Sequence, residues 1–164
     1  MPSMTLPTDP ATPFVHAADD VPRLELGRAR AGLVATGSRT AGAYGLFRWD
    51  MSAEESGPSP HFHKHISEAF YVLDGAIHLY DGRSWTEGRA GDFLHVPPNG
   101  VHAFRNRSGA PASMLILFVP GAPREDYFRA LGEIATGGRE FTPEQWAEFL
   151  ASHDQYEAPE APTP

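Results

Sequence analysis

The chain has 164 residues, 41% of them apolar, a formal charge of −8 and no cysteine. That length suits one domain with a real core, and the lack of cysteine excludes disulfides and thiolate-metal sites. The acidic balance argues against a general nucleic-acid-binding surface, and no apolar run approaches the roughly 18 residues of a membrane span.

Residues 1–13 carry four prolines and little that can pack, which predicts a disordered N-terminal tail. The tail lacks a basic region followed by an apolar one, so no secretory signal is expected and a soluble, cytoplasmic protein is. From residue 14 to about 51 the text reads as strands, LELGRARAGLVATG and then GAYGLFRWDM. In the second, Tyr44, Leu46 and Arg48 alternate with Gly45, Phe47 and Trp49, which predicts that both faces are covered. Further strands are predicted at residues 69–73 (AFYVL), 77–80 (IHLY), 93–96 (FLHV) and 114–119 (MLILFV). Turns between them are marked by Asp74-Gly75, Asp81-Gly82, Gly88 and Gly91-Asp92. Short strands at this spacing predict an antiparallel sandwich or barrel over residues 14–120.

The period then changes. Phe128, Leu131 and Ile134/Ala135 recur at three and four, and Gly137-Gly138 ends that helix. Thr142, Pro143 and Gln145 supply an N-cap, a proline at the first helical position and a capping-box partner. Trp146, Phe149 and Leu150 form the apolar stripe of this second helix. The two helices are expected over residues 121–157, covering the outside of the sheet. Residues 158–164 resemble the N-terminal tail in composition.

Chemistry concentrates in residues 57–75, GPSPHFHKHISEAFYVLDG, and residues 91–106, GDFLHVPPNGVHAFRN. Imidazoles two apart on an extended segment share one face. Two pairs meet that condition, His61/His63 and His63/His65. Spacing to the carboxylate favours the first, because four residues separate His63 from Glu68, enough to bend the chain back to a shared centre. His102, from a separate strand, then makes a three-histidine, one-carboxylate site, with His65 on its rim. Such a set suits one divalent transition ion (Fe, Mn, Ni, Zn, Co or Cu, which it does not distinguish) and leaves positions open for substrate.

The two stretches resemble the cupin superfamily, whose first motif runs G-x5-H-x-H-x3-4-E-x6-G and whose second runs G-x5-P-x-G-x2-H-x3-N. His61, His63, Glu68 and Gly75 match the first; Gly91, Pro97, His102 and Asn106 match the second. Gly57 stands four rather than six positions ahead of His61, and Asn99 replaces the second motif's glycine. Asn tolerates the left-handed conformation, so the turn is expected to survive. The resemblance implies an all-β, double-stranded β-helix (jelly-roll) barrel carrying two short C-terminal helices. It also implies a metal on His61, His63, Glu68 and His102, and a homodimer.

The implied activity is that of a metal-dependent, dioxygenase-type oxidoreductase acting on a small aromatic or enolic compound. Glu68 would serve as ligand and general base. The alternatives are a redox-neutral cyclase or isomerase and a non-catalytic small-molecule-binding cupin. Phe47, Trp49, Phe70, Phe104 and His65 are the candidate substrate contacts. Tyr71 and Val72 point to opposite faces, so one of them lines the barrel. His78 and His95 are read as sheet histidines, His16 and His153 as surface residues, and Arg48 and Arg105 as solvated arginines.

Overall fold

Alternating apolar and polar side chains, interrupted by glycine turns, can bury one face only by pairing antiparallel and stacking a second layer on it. The computed structural model describes residues 9, 11–121 and 123–163. After a single 3-10 turn at Ala18–Asp20 come β1 (Arg23–Glu25), β2 (Ala29–Ala35), β3 (Gly45–Met51), β4 (His61–Phe62) and β5 (Ser67–Asp74). They are followed by β6 (Ala76–Tyr80), β7 (Trp85–Arg89), β8 (Phe93–Val96), β9 (Ala103–Arg105) and β10 (Ala112–Val119). Two helices, α1 (Arg124–Ala135) and α2 (Pro143–Ser152), precede a last strand, β11 (Tyr156–Glu157). The N-terminal tail expected over residues 1–13 lies mostly outside the described residues.

One layer is a six-stranded antiparallel sheet in the order β1-β2-β3-β10-β5-β8. The other contains β7-β6-β9 and the pair β11-β4. His61 and His102 join its two parts by exchanging both backbone hydrogen bonds, at 3.0 and 2.9 Å. The two layers form the expected double-stranded β-helix. Its core is filled from alternate positions: Phe47, Trp49 and Met51 of β3, Phe70 and Val72 of β5, Ile77 and Leu79 of β6, and Met114, Ile116 and Phe118 of β10. Each such side chain contributes about 1.5–3 kcal/mol relative to exposure.

Several local expectations need correction. On β3 only Phe47, Trp49 and Met51 face inward; Arg48 is exposed and pairs with Asp50 at 2.9 Å, so that strand has one dry face. Gly88 is not a turn. It lies inside β7, where a Cβ would stand 3.0 Å from Leu79 Cδ1 and 3.3 Å from Val72 Cγ2. Its neighbours Thr86, Glu87 and Arg89 are exposed, so the apolar alternation that announces a strand is missing. β4, β9 and β11 are too short to show any period.

The helices also sit elsewhere. Their internal signals hold: Thr142 Oγ1 accepts from Gln145 N at 3.2 Å and Gln145 Oε1 from Thr142 N at 3.0 Å. Gly137 has φ +80° just past α1. They do not, however, simply coat the outside of a sheet. Phe128 of α1 packs edge-on to Phe47 (4.9 Å between centroids) and tilted against Trp49 (5.4 Å), so its ring enters the mouth of the barrel. The segment after α2 returns to the barrel as β11, and Ala158 N donates to Pro60 O at 2.9 Å. No helix among the described residues is long and apolar enough to cross a membrane.

Candidate metal centre

The pairing of β4 with the segment entering β9 sets His61 directly opposite His102, with ring centroids 4.3 Å apart. His63, two residues beyond His61, comes to the same place, 5.3 and 5.4 Å from the other two rings. Glu68 reaches across from β5 in the facing sheet. One ligand atom from each of the four residues lies within 4.8 Å of all the others, and all four side chains are buried. The centre thus bridges the two layers of the barrel.

Backbone carbonyls fix the imidazole tautomers. A carbonyl only accepts, so each Nδ1 must carry the proton: His61 donates to Ser59 O (2.8 Å), His63 to Asp154 O (2.6 Å) and His102 to Gly100 O (3.0 Å). In a neutral ring the Nε2 atom then presents only a lone pair. Yet Nε2 of His63 and of His102 lie 3.0 and 2.7 Å from Glu68 Oε2, itself an acceptor. Lone pairs facing a carboxylate at this range require a proton or a cation between them. The donor set therefore fits a divalent ion, with Nδ1–H···O=C bonds holding the rings as outer partners do in metal sites.

The electrostatics agree. Burial first, and then the neighbouring His102, push His61 down to about 3, so it is neutral and free to ligate. Burial works to raise the carboxyl of Glu68, but His102 and His63 outweigh it and hold Glu68 well below the usual carboxylate range. His102 moves the other way: burial opposes its charge, and Glu68 still raises it above an ordinary imidazole. Without a metal, one proton shared by Glu68 and His102 supplies the positive charge the centre calls for.

Two backbone features hold this geometry. Gly57 runs against β9 so closely that a Cβ would stand 2.0 Å from Phe104 O. The shortened spacing from Gly57 to His61 thus still serves a close approach. Asn99 takes φ +66° and donates its N–H to His63 O at 2.6 Å, so the turn survives the missing glycine. Asn106 is structural: fully buried, it donates to Ser52 O and Ala110 O and accepts from Ser108.

Beside the centre lies a cavity of about 400 Å³, of small-ligand size. His61 and Glu68 form part of its wall, with Trp49, Phe104, Ile116 and Phe118 from the barrel and Arg124, Tyr127, Phe128 and Leu131 from α1. Of the four aromatics expected around a substrate, Trp49 and Phe104 line the cavity. Phe47 and Phe70 do not, because they are packed behind it with no exposed surface.

His65 is also elsewhere: its side chain is 81% exposed, and its Nδ1 rests 3.2 Å from Asp154 Oδ1. The facing-strand geometry that gathers His61 and His63 turns His65 outward. Val72 rather than Tyr71 faces the core. His95 is exposed, and Arg105 stands 3.7 Å from Glu55. His153 is not a plain surface residue, since its ring packs on Tyr127 (5.3 Å) and Phe149 (5.1 Å).

Sequence reasoning missed Asp154 and Arg124. Besides holding His63 through its carbonyl, Asp154 accepts from Lys64 N (3.0 Å) and His65 N (2.9 Å), clamping the ligand loop to the end of α2. Nothing local to residues 150–156 announces a partner some ninety positions earlier. Arg124 left one faint signal, a cation in the first turn of a helix, where the macrodipole disfavours it.

The matches to known proteins point the same way. Residues 47–118 match the cupin domain family. The chain is 33% identical over 135 residues to a quercetin 2,3-dioxygenase of Bacillus subtilis, a match covering 76% of this chain. It spans only about a third (36%) of that relative's length. This chain is a member of the cupin superfamily. Among solved structures, this cupin superposes on an RmlC-like cupin from Shewanella frigidimarina with a TM-score of 0.59 at 17% identity, covering 71% of this chain and 96% of that one. The Streptomyces nucleoside dehydratase Pac13 gives 0.54 at 17% identity, covering 70% and 88%. At such identities the likeness is one of fold.

Proposed function

We propose that this cupin is a metal-dependent oxidoreductase of the dioxygenase kind, acting on a small aromatic or enolic compound. The observation that carries the reading is a buried three-histidine, one-carboxylate set whose lone pairs converge on one point and whose His61 and Glu68 open onto a largely apolar cavity. Similarity to a quercetin 2,3-dioxygenase supports the reaction class. His61, His63, Glu68 and His102 would hold one divalent ion, which supplies Lewis acidity toward a substrate oxygen and, if redox-active, a route for electrons to O2.

The chain's own part is binding, orientation and proton handling. Trp49 and Phe104 offer ring faces and edges to a flat substrate, and the apolar wall excludes water. Glu68 faces the cavity as the one carboxylate among the four ligands, and takes the substrate's hydroxyl proton. A hydroxyl acidified by the ion or by conjugation is the readier proton donor to it.

Oxygen uptake by iron, manganese, nickel, cobalt and copper forms, assayed with flavonols and catechol-like compounds, tests the reading. Uptake coupled to substrate loss is expected from at least one form. No uptake from any form sinks it, and anaerobic conversion by a zinc form would assign the site to redox-neutral cyclisation or isomerisation.

A further inference from the structure

The cavity's polar atoms are out of balance. Trp49 Nε1, Ser56 Oγ and Arg124 Nε are buried and have no hydrogen-bond partner among the described residues, and all three residues line the cavity. Each can donate; no side-chain carboxylate or amide oxygen on that wall is left in the same state. Buried donors without acceptors are rare in folded proteins and call for an occupant that brings acceptors.

Arg124 makes the demand specific. It is 3% exposed, although a charge almost never goes fully inside unpaired. Its terminal nitrogens donate to neutral oxygens only, Nη1 to His153 O at 2.8 Å and Nη2 to Gln155 Oε1 at 3.0 Å. Its guanidinium lies over the rings of Tyr127 (4.1 Å) and Phe118 (4.9 Å), which steady the cation without neutralising it. No carboxylate among the described residues lies within ion-pair distance of it; the charges of Glu68 and Asp154 favour its protonation only from beyond that range. Tyr127 does not balance it either, because burial pushes that phenol above its ordinary value and keeps it neutral. The position is also costly, since a cation in the first turn of α1 opposes the helix dipole. A buried, unpaired guanidinium on the wall of a ligand-sized cavity is what an anion-binding site looks like before its anion arrives.

We propose that the cavity selects a flat aromatic or enolic carboxylate, and that Arg124 is the specificity-determining residue that takes the carboxylate. This rests on the reading of the cavity as the site of a small aromatic or enolic compound. The Nε–H and a remaining terminal N–H of the guanidinium offer the paired donors a carboxylate accepts side-on. Trp49 and Ser56 take further acceptor oxygens of the ring system. The helical cap thus carries the selectivity, and the barrel carries the metal.

Calorimetric titration of the zinc-loaded protein with 1-naphthoate and with 1-naphthamide, equal in shape and different in charge, tests this. The acid is expected to bind about tenfold tighter or more, the scale of a hydrogen bond to a charged group. Arg124→Met should abolish that preference by weakening the acid alone, and Arg124→Lys should keep part of it. Equal binding of acid and amide by the wild-type protein overturns the proposal, whether or not the methionine variant folds. So does a preference that survives in Arg124→Met, which would place the carboxylate on the metal instead. No oxygen is measured here. A protein that prefers the acid and consumes no oxygen loses the reaction class and keeps the ligand class; oxygen uptake without the preference does the reverse.

Discussion

The cavity has a floor and a roof built on different principles. The floor is four candidate ligands set by strand pairing: His61 faces His102 across two backbone hydrogen bonds, and Glu68 arrives from the opposite sheet. The roof is helical, and its polar group, Arg124, is held by His153 and Gln155 from the far end of the chain. Floor residues gather lone pairs around one point, while the roof carries a guanidinium whose hydrogen bonds go to neutral oxygens and whose Nε has no partner among the described residues. On the proposed reading the difference separates two jobs, with metal affinity assigned to the sheets and ligand choice to the cap. Asp154 is the rivet between them, touching His63, Lys64 and His65 from the end of α2.

The most drastic way to test that division is to remove a floor ligand. His61→Ala should abolish stoichiometric metal on elemental analysis while the barrel still folds; full occupancy in that variant would refute the ligand set. Next, Glu68→Gln should keep part of the metal and lose about 10²–10⁴-fold in turnover, the span of a positioned acid-base group. Unchanged turnover would remove its proton role.

The rivet comes third. Asp154→Asn keeps a residue that tolerates the φ of +56° found there but loses one of two carboxylate acceptors. Metal affinity should fall by less than the ~10–100-fold of a lost outer partner, because the backbone carbonyl that accepts from His63 Nδ1 remains. This residue also makes stability depend on pH. Partial burial acts to raise its carboxyl, but the N–H groups of His65 and Lys64 outweigh that and hold it below an ordinary aspartate. A folded-state pKa below the unfolded one contributes stability that is complete above the unfolded value and drains away as pH falls through the folded one. The melting temperatures of the metal-free wild type and Asp154→Asn should thus differ most at neutral pH and converge in acid. A constant gap would deny the carboxylate its role.

Smaller effects should stay on one side of the division. Thr142→Ala removes the capping box of α2 and should cost about 1 kcal/mol in stability. Metal content should not change, and a loss of metal there would show that roof and floor are one unit. His65→Ala should leave metal content intact, because the imidazole is exposed on the far side of its loop.

Much of the floor was legible in the text. The i, i+2 histidines and the four-residue step to Glu68 are local spacings, and local spacing survives folding when strands impose the period. The capping box of α2 was legible for the same reason, since Thr142 and Gln145 interact within one turn. Other local readings failed where packing outvoted composition. Gly88 looks like a turn residue but is a strand residue with no room for a side chain, because Leu79 and Val72 occupy the space. Phe47 and Phe70 looked equal to Trp49 and Phe104, and only the assembled core shows which two reach the cavity.

Residue types and short spacings were enough to single out His61, His63 and Glu68, the antiparallel barrel and the two helices, because each depends on neighbours within a few positions; His102 was added by the second motif of the family the chain resembles. The placing of the helices at the barrel mouth, the clamp of Asp154 on His63 and the burial of an unpaired Arg124 all depend on contacts between segments about thirty to ninety residues apart. No periodicity encodes those contacts. They follow from how the C-terminal segment packs once the sheets have closed, and so they became visible only in the folded molecule.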